Sequence, residues 1–188
     1  MAVIKKNPLV KGATGMIGNT YYLRESFGEQ QIVNRPRKRK SSTENELRNQ
    51  YRFKMAGLYA KKQIKNPEIE KEYAKGVNPR SRSSYHVALN DFLHAPTVDY
   101  INVKLYTGAV GDTITIKAQD DFKVVRVSIE IYDTKGELLE HGDAVRYIYK
   151  PFIWKYKASM INRKLRGTVV QVVAFDRPGN RGTHEVVL

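Results

Sequence analysis

After Pro96 the hydrophobic pattern changes its period, and no other feature constrains the fold of this chain as much. Upstream, apolar residues recur every three to four positions, the spacing of a helix face. Downstream they recur every second position, the spacing of a strand with one buried side. The segments VDYINVKLY, DTITIKAQ, KVVRVSIEIYD, FIWKYKAS and GTVVQVVAFD read as strands, with turn signals TGAVGD, DDF, TKGE, NRKLRG and RPGN between and after them. Val125, Val127, Ile129 and Ile131 alternate with Arg126, Ser128, Glu130 and Tyr132, which predicts one buried and one wet face. Several short strands within residues 97–188 predict an immunoglobulin-like β-sandwich with Trp154 as its core aromatic. The chain has no cysteine, so such a sandwich lacks the usual disulfide.

Upstream of Pro96 the pattern predicts a small helical module over residues 43–96. Thr43 is an N-cap and Glu46 completes a capping box. Leu47, Tyr51, Met55, Leu58 and Tyr59 follow a helical period, and Phe53, Ala56 and Ala60 line a second apolar face. A helix with two apolar faces packs against two neighbours. Asn66-Pro67 stops it. A short helix is expected over 67–75 and a third over 81–93, with Tyr85, Ala88, Leu89 and Phe92 as its stripe. Residues 1–42 read as a glycine-rich basic arm or hairpin: Thr20 to Arg24 favour a strand, FGEQ a turn, and QQIVNRP a return strand. Too poor in large aliphatics for a core of its own, this segment needs a partner surface. The expected class is therefore α+β: an extended N-terminal arm or hairpin, a helical module and a C-terminal immunoglobulin-like sandwich.

Charge is unevenly spread. The net charge is +14; residues 1–96 hold 19 Lys/Arg and 8 Asp/Glu, so 19 − 8 = +11, and residues 97–188 hold 14 and 11, so 14 − 11 = +3. A basic first half implies contact with something acidic, nucleic acid or a protein surface. The densest run is VNRPRKRK, with Arg35, Arg37, Lys38, Arg39 and Lys40. Together with Arg48, Arg52, Lys61 and Lys62 these are the candidate nucleic-acid-binding or partner-binding residues. The bland alternative for the run is a solvated linker.

Catalytic machinery is not visible. GATGMIG has neither the order of a dinucleotide loop nor the lysine of a phosphate loop. His86, His94, His141 and His184 have no zinc spacing, and there is no cysteine nucleophile or G-x-S-x-G elbow. Asp120, Asp121 and Asp176 invite a calcium site, but no twelve-residue loop pattern surrounds them, and turn chemistry accounts for aspartates there. DRPGN, residues 176–180, reads as a tight turn rather than a binding loop. The expectation is no catalytic residue, no metal and no cofactor. No stretch approaches the roughly 20 apolar residues of a membrane span, and AVI before two lysines is too short for a secretory signal. A cytoplasmic or particle-associated protein is expected.

Three stretches carry a resemblance: GATGMIGNTYYLR…VNRPRKRKSSTENELRNQYRFKMAGLYAKK, NPEIEKEYAKG…SYHVALNDFLHAP, and DDFKVVRVSIEIYD…DRPGN. They resemble a phage-associated protein family of Bacteroidetes genomes and mobile elements, of uncharacterised activity. Its marks are a G..G.IGN start, a basic arm, a Thr-capped helix containing R..F, and an immunoglobulin-like C-terminal domain. The resemblance implies a two-part architecture without a known catalytic residue. The function expected is a non-enzymatic structural or assembly protein, a virion or particle component, docking through its basic arm and helical module on other subunits or on itself. The alternative is a sequence-independent nucleic-acid-binding protein.

Overall fold

The computed structural model describes residues 2–4, 10, 12–26, 28–35 and 41–188. It is a mixed α+β chain with three helices and antiparallel sheets. It divides into two units, Met1–Leu47 and Arg48–Leu188.

The first unit is built on the expected hairpin. Strands β3 (Tyr21–Ser26) and β4 (Glu29–Asn34) pair antiparallel from Tyr21↔Asn34 to Ser26↔Glu29. Gly28, at φ +75°, takes the left-handed conformation that so tight a turn requires. The Arg24 guanidinium donates across the hairpin to Gln31 Oε1 at 3.2 Å. Two three-residue strands, β1 (Ala2–Ile4) and β2 (Gly15–Ile17), extend the hairpin to a four-stranded sheet of order β1-β4-β3-β2. Three residues are too few for alternation to show, which is why the sequence reads as a hairpin only.

Helix α1 (Glu44–Gln63) begins at the predicted capping box: the Glu46 amide donates to Thr43 Oγ1 and the Thr43 amide to Glu46 Oε2, at 3.3 and 3.2 Å. Helix α2 (Pro67–Ala74) follows a cap in which the Asn66 side chain accepts from the Glu68 amide, with Pro67 in its first turn. Helix α3 (Ser84–Leu93) starts later than the sequence suggests, because the Ser83 hydroxyl takes the N-cap and holds extended backbone there. Ala56, Ala60, Tyr73, Val87, Ala88 and Leu89 form the helical core. Phe122, from the loop between two downstream strands, stacks on Tyr73 at 4.5 Å and joins that core.

The remaining strands are β5 (Thr97–Asn102), β6 (Thr113–Gln119), β7 (Val124–Tyr132), β8 (Leu138–Asp143), β9 (Val145–Arg146), β10 (Ile153–Lys157), β11 (Val169–Asp176) and β12 (Arg181–Val187). They form two four-stranded sheets, β5-β6-β10-β9 and β12-β11-β7-β8. Ile114, Ile116, Trp154 and Tyr156 of the first and Val127, Ile129, Ile131, Val170 and Val172 of the second share one core. Val125 departs from the expected alternation: Val124 is buried and Val125 exposed. A bulge explains it, since Phe175 pairs with Arg126 while Asp176 pairs with Val124. The extra residue lies on β7 and shifts its inward set by one, whereas β11 alternates without a break, so that Asp176 follows Val170, Val172 and Ala174 to the inside, where it is 3% exposed.

Helices and sheets meet at the turn DRPGN. Asp176 Oδ1 accepts from the Gly179 and Asn180 amides at 2.8 and 2.6 Å. The Asn180 amide group donates to the carbonyls of Asp91, Phe92 and His94 at 3.2, 3.2 and 3.3 Å. The β-turn thereby caps the C-terminal end of α3, whose last carbonyls have no partner within the helix. Arg177 pairs with Glu72 of α2. Gly182 lies against Pro96 so closely that a Cβ there meets the Pro96 carbonyl oxygen at 1.8 Å.

Candidate docking surface

Helix α1 carries two apolar faces, as its sequence predicts, and only one of them is covered. The covered face is the smaller: Ala56 and Ala60 are fully buried, and Tyr59 beside them is half-buried with its ring 5.2 Å from Phe92. Beside alanine there is room for the large side chains of the other helices, Tyr73, Tyr85 and Phe92, which join the same cluster. Phe53, expected on that face, is 59% exposed, and Tyr59, expected on the other with Leu58, turns to the covered one, where its hydroxyl meets that of Tyr73 at 3.0 Å.

The other face holds the larger residues. Leu47, Tyr51, Met55 and Leu58 recur at intervals of four, four and three and so share one stripe. Their exposures are 55, 65, 37 and 53%. Cations frame this stripe. On helical geometry Lys54 and Lys61 lie along one flank, Arg48 along the other, and Lys62 ends it one turn beyond Leu58. All four are exposed. Lys61 and Lys62 also stand in the last turn, where positive charge complements the helix dipole.

Four of the nine predicted cations, Arg48, Arg52, Lys61 and Lys62, thus lie on one helix. Arg52 serves the fold locally, because its guanidinium donates to the Leu93 carbonyl, the last of α3. Arg35 follows β4, exposed, with its amide donating to the Thr20 carbonyl at 2.8 Å. Arg37, Lys38, Arg39 and Lys40 lie outside the described residues. Lys54 is not among the cations that the sequence singles out, because it stands apart from any run of charge. The available signal is its seven-residue spacing from Leu47 and Lys61.

The aspartates at the turns are placed differently from one another. Asp121 is exposed and accepts from His94 Nδ1 at 2.5 Å. Asp120 and Asp176 turn toward a third carboxylate, Asp91 of α3, which is wholly buried. Asp91 is hidden in the sequence because a lone acid in a short helix resembles a solvated one; its position three residues after Ala88 is the available signal. Among the described residues no helix is long and apolar enough to cross a membrane.

No family model and no curated protein sequence matches the chain. Among solved structures it is similar to the crystal structure of CopC from Methylosinus trichosporium OB3b, at 16% identity and a TM-score of 0.37. That match covers 48% of this chain and 87% of the other.

Proposed function

We propose that this protein is a non-enzymatic assembly component that docks through α1 on an acidic protein partner, with the sheet region serving as an immunoglobulin-like module. The observation carrying this reading is the stripe Tyr51–Met55–Leu58 of the second unit, large apolar side chains of α1 that are exposed. Burying an exposed Leu or Met side chain is worth about 1.5–3 kcal/mol, so a partner that covers the stripe gains substantially. An amphipathic helix laid into an apolar groove is a recurring mode of recognition. The cationic frame selects an acidic rim around that groove. A second copy is a poorer fit, because it brings the same lysine flanks together in a chain of net charge +14.

The immunoglobulin-like reading is supported by the strand orders. Counted from β5, strands one, two, six and five face strands eight, seven, three and four. That is the Greek-key pairing of an immunoglobulin domain with one extra strand on the second sheet. A place in a phage particle rests on the sequence resemblance alone.

The test is photo-crosslinking from position 51 of the full-length protein in its native cells. The account predicts a crosslinked protein whose contact segment is acidic, with a yield that falls as salt rises and is lost in Leu58→Asp. Crosslinks that vanish on nuclease treatment would overturn it in favour of nucleic acid. In that case affinity for unrelated sequences should fall steeply and equally with salt, by a log–log slope of about 0.9 per phosphate contact.

A further inference from the structure

Three carboxylates from three separate elements converge inside the second unit: Asp91 from α3, Asp120 from the loop between β6 and β7, and Asp176 from the end of β11. One oxygen of each lies within 4.8 Å of the other two. Asp91 is 0% and Asp176 3% exposed. Part of the hydrogen-bonding capacity of the group is used: Asp91 Oδ2 accepts from the Tyr73 hydroxyl at 2.6 Å, Asp120 Oδ2 from the Lys123 amide at 3.1 Å, and Asp176 from Gly179 and Asn180. Two oxygens are left. Asp91 Oδ1 and Asp120 Oδ1 are both buried and have no hydrogen-bond partner. A buried polar oxygen without a donor is costly, and its recurrence on two neighbouring carboxyls points to something held between them, a shared proton or a cation.

Arg177, the residue after Asp176, does not fill that role through the contacts it makes, although its Nη1 is also buried and without a partner. Its guanidinium pairs with Glu72 and lies over the Tyr73 ring, 5.4 Å from the centroid. Burial pushes the Asp91 carboxyl up to about 7, with Tyr73 opposing and the neighbouring Asp120 and Asp176 adding to the rise. Burial raises Asp120 and Asp176 as well. A proton on Asp91 relieves this crowding when no ion is bound, and an ion that enters displaces it.

We propose that Asp91, Asp120 and Asp176 form a binding site for a divalent cation of the calcium class. The donors are all oxygens, which suits a hard cation and disfavours zinc or copper. Calcium holds oxygens at about 2.3–2.6 Å, so two ligands on one ion stand up to about 5 Å apart, the range in which these oxygens lie. Magnesium demands near-octahedral geometry at about 2.0–2.1 Å and dehydrates reluctantly, which suits an all-protein carboxylate cluster less well. Asp120 is only half-buried and supplies the entry side, and water completes the coordination. The ion would tie α3 to both sheets of the downstream region at the point where the DRPGN turn caps that helix.

The experiment uses the full chain, stripped with a chelator, and reads its melting temperature against calcium and magnesium. Terbium luminescence sensitised by tyrosine is the second readout, since the Tyr73 hydroxyl touches Asp91. Calcium at about 100-fold excess over Kd should raise Tm by roughly 5–10 °C, more than magnesium does. Asp91→Asn risks misfolding because of its Tyr73 bond. Asp120→Asn keeps an acceptor for the Lys123 amide and should weaken the ion response at least tenfold. Asp121→Asn, outside the cluster, should leave it intact. The proposal is overturned if neither ion moves Tm, if terbium emission is equal in wild type and Asp120→Asn, or if Asp121→Asn removes the response.

Discussion

Glu140 stands on β8, yet its carboxylate serves the opposite sheet. It accepts from the Tyr156 hydroxyl of β10 at 2.6 Å, from the Ser159 hydroxyl at 2.8 Å, and from the amides of Ser159 and Met160. Burial pushes its carboxyl up, but the Tyr156 and Ser159 bonds outweigh that and hold it below its usual 4.5. A depressed carboxylate contributes stability above its unfolded pKa and loses it as pH falls through the folded value. Urea unfolding of Glu140→Gln should therefore show a loss of about 1–3 kcal/mol at neutral pH and a shallower decline below about pH 4.5 than wild type. Asp112 and Asp133, also held low, keep part of that decline in the variant; the Thr107 amide dominates for the first and the Glu137 amide for the second. An unchanged acid limb in Glu140→Gln would show that this bridge is not formed. Gly182 makes a second prediction at this scale. Its added Cβ has no room before the Pro96 carbonyl, so Gly182→Ala should cost about 1–3 kcal/mol or more by the same measurement. A neutral Gly182→Ala would mean that β12 does not press on the α3–β5 junction.

At the scale of elements, α1 separates what periodicity can reveal from what it cannot. The spacing of Leu47, Tyr51, Met55 and Leu58 locates an apolar stripe, and the second face is legible in Ala56 and Ala60. Which face is covered is not legible, because that depends on the shape of α2 and α3 rather than on hydrophobicity. The small residues take the interior because the large side chains of the other helices, Tyr73, Tyr85 and Phe92, fill the space beside them, and the large residues of α1 are left outside. The strand region is legible where alternation runs for five or more residues, as in Val127 to Ile131. It fails at Val125, where a bulge resets the inward set, and at β8, where LLEHGD carries little alternation. Asp91 is hidden for a related reason: its partners Asp120 and Asp176 are 29 and 85 positions away in sequence. The exposed stripe makes its own prediction. Tyr51→Ser with Leu58→Ser should change stability by less than about 0.5 kcal/mol per site and clearly reduce binding of an apolar fluorescent dye. A large loss of stability would place those side chains in a core.

For the whole molecule, the two themes are a basic first half and an apolar helix face framed by cations. Both are costs for an isolated protein, through self-repulsion and through exposed apolar surface, and the acidic partner proposed above would relieve both at once. The chain lends itself to a direct test, since it has no cysteine and any introduced thiol is unique. Leu58→Cys can be labelled with a maleimide in the purified monomer and, separately, in native cell extract. The account predicts rapid labelling of the monomer and strong protection in the extract, with protection lost when salt is raised. Equal rates in the two settings, or slow labelling of a verified monomer, would contradict the claim that this helix face is a docking surface.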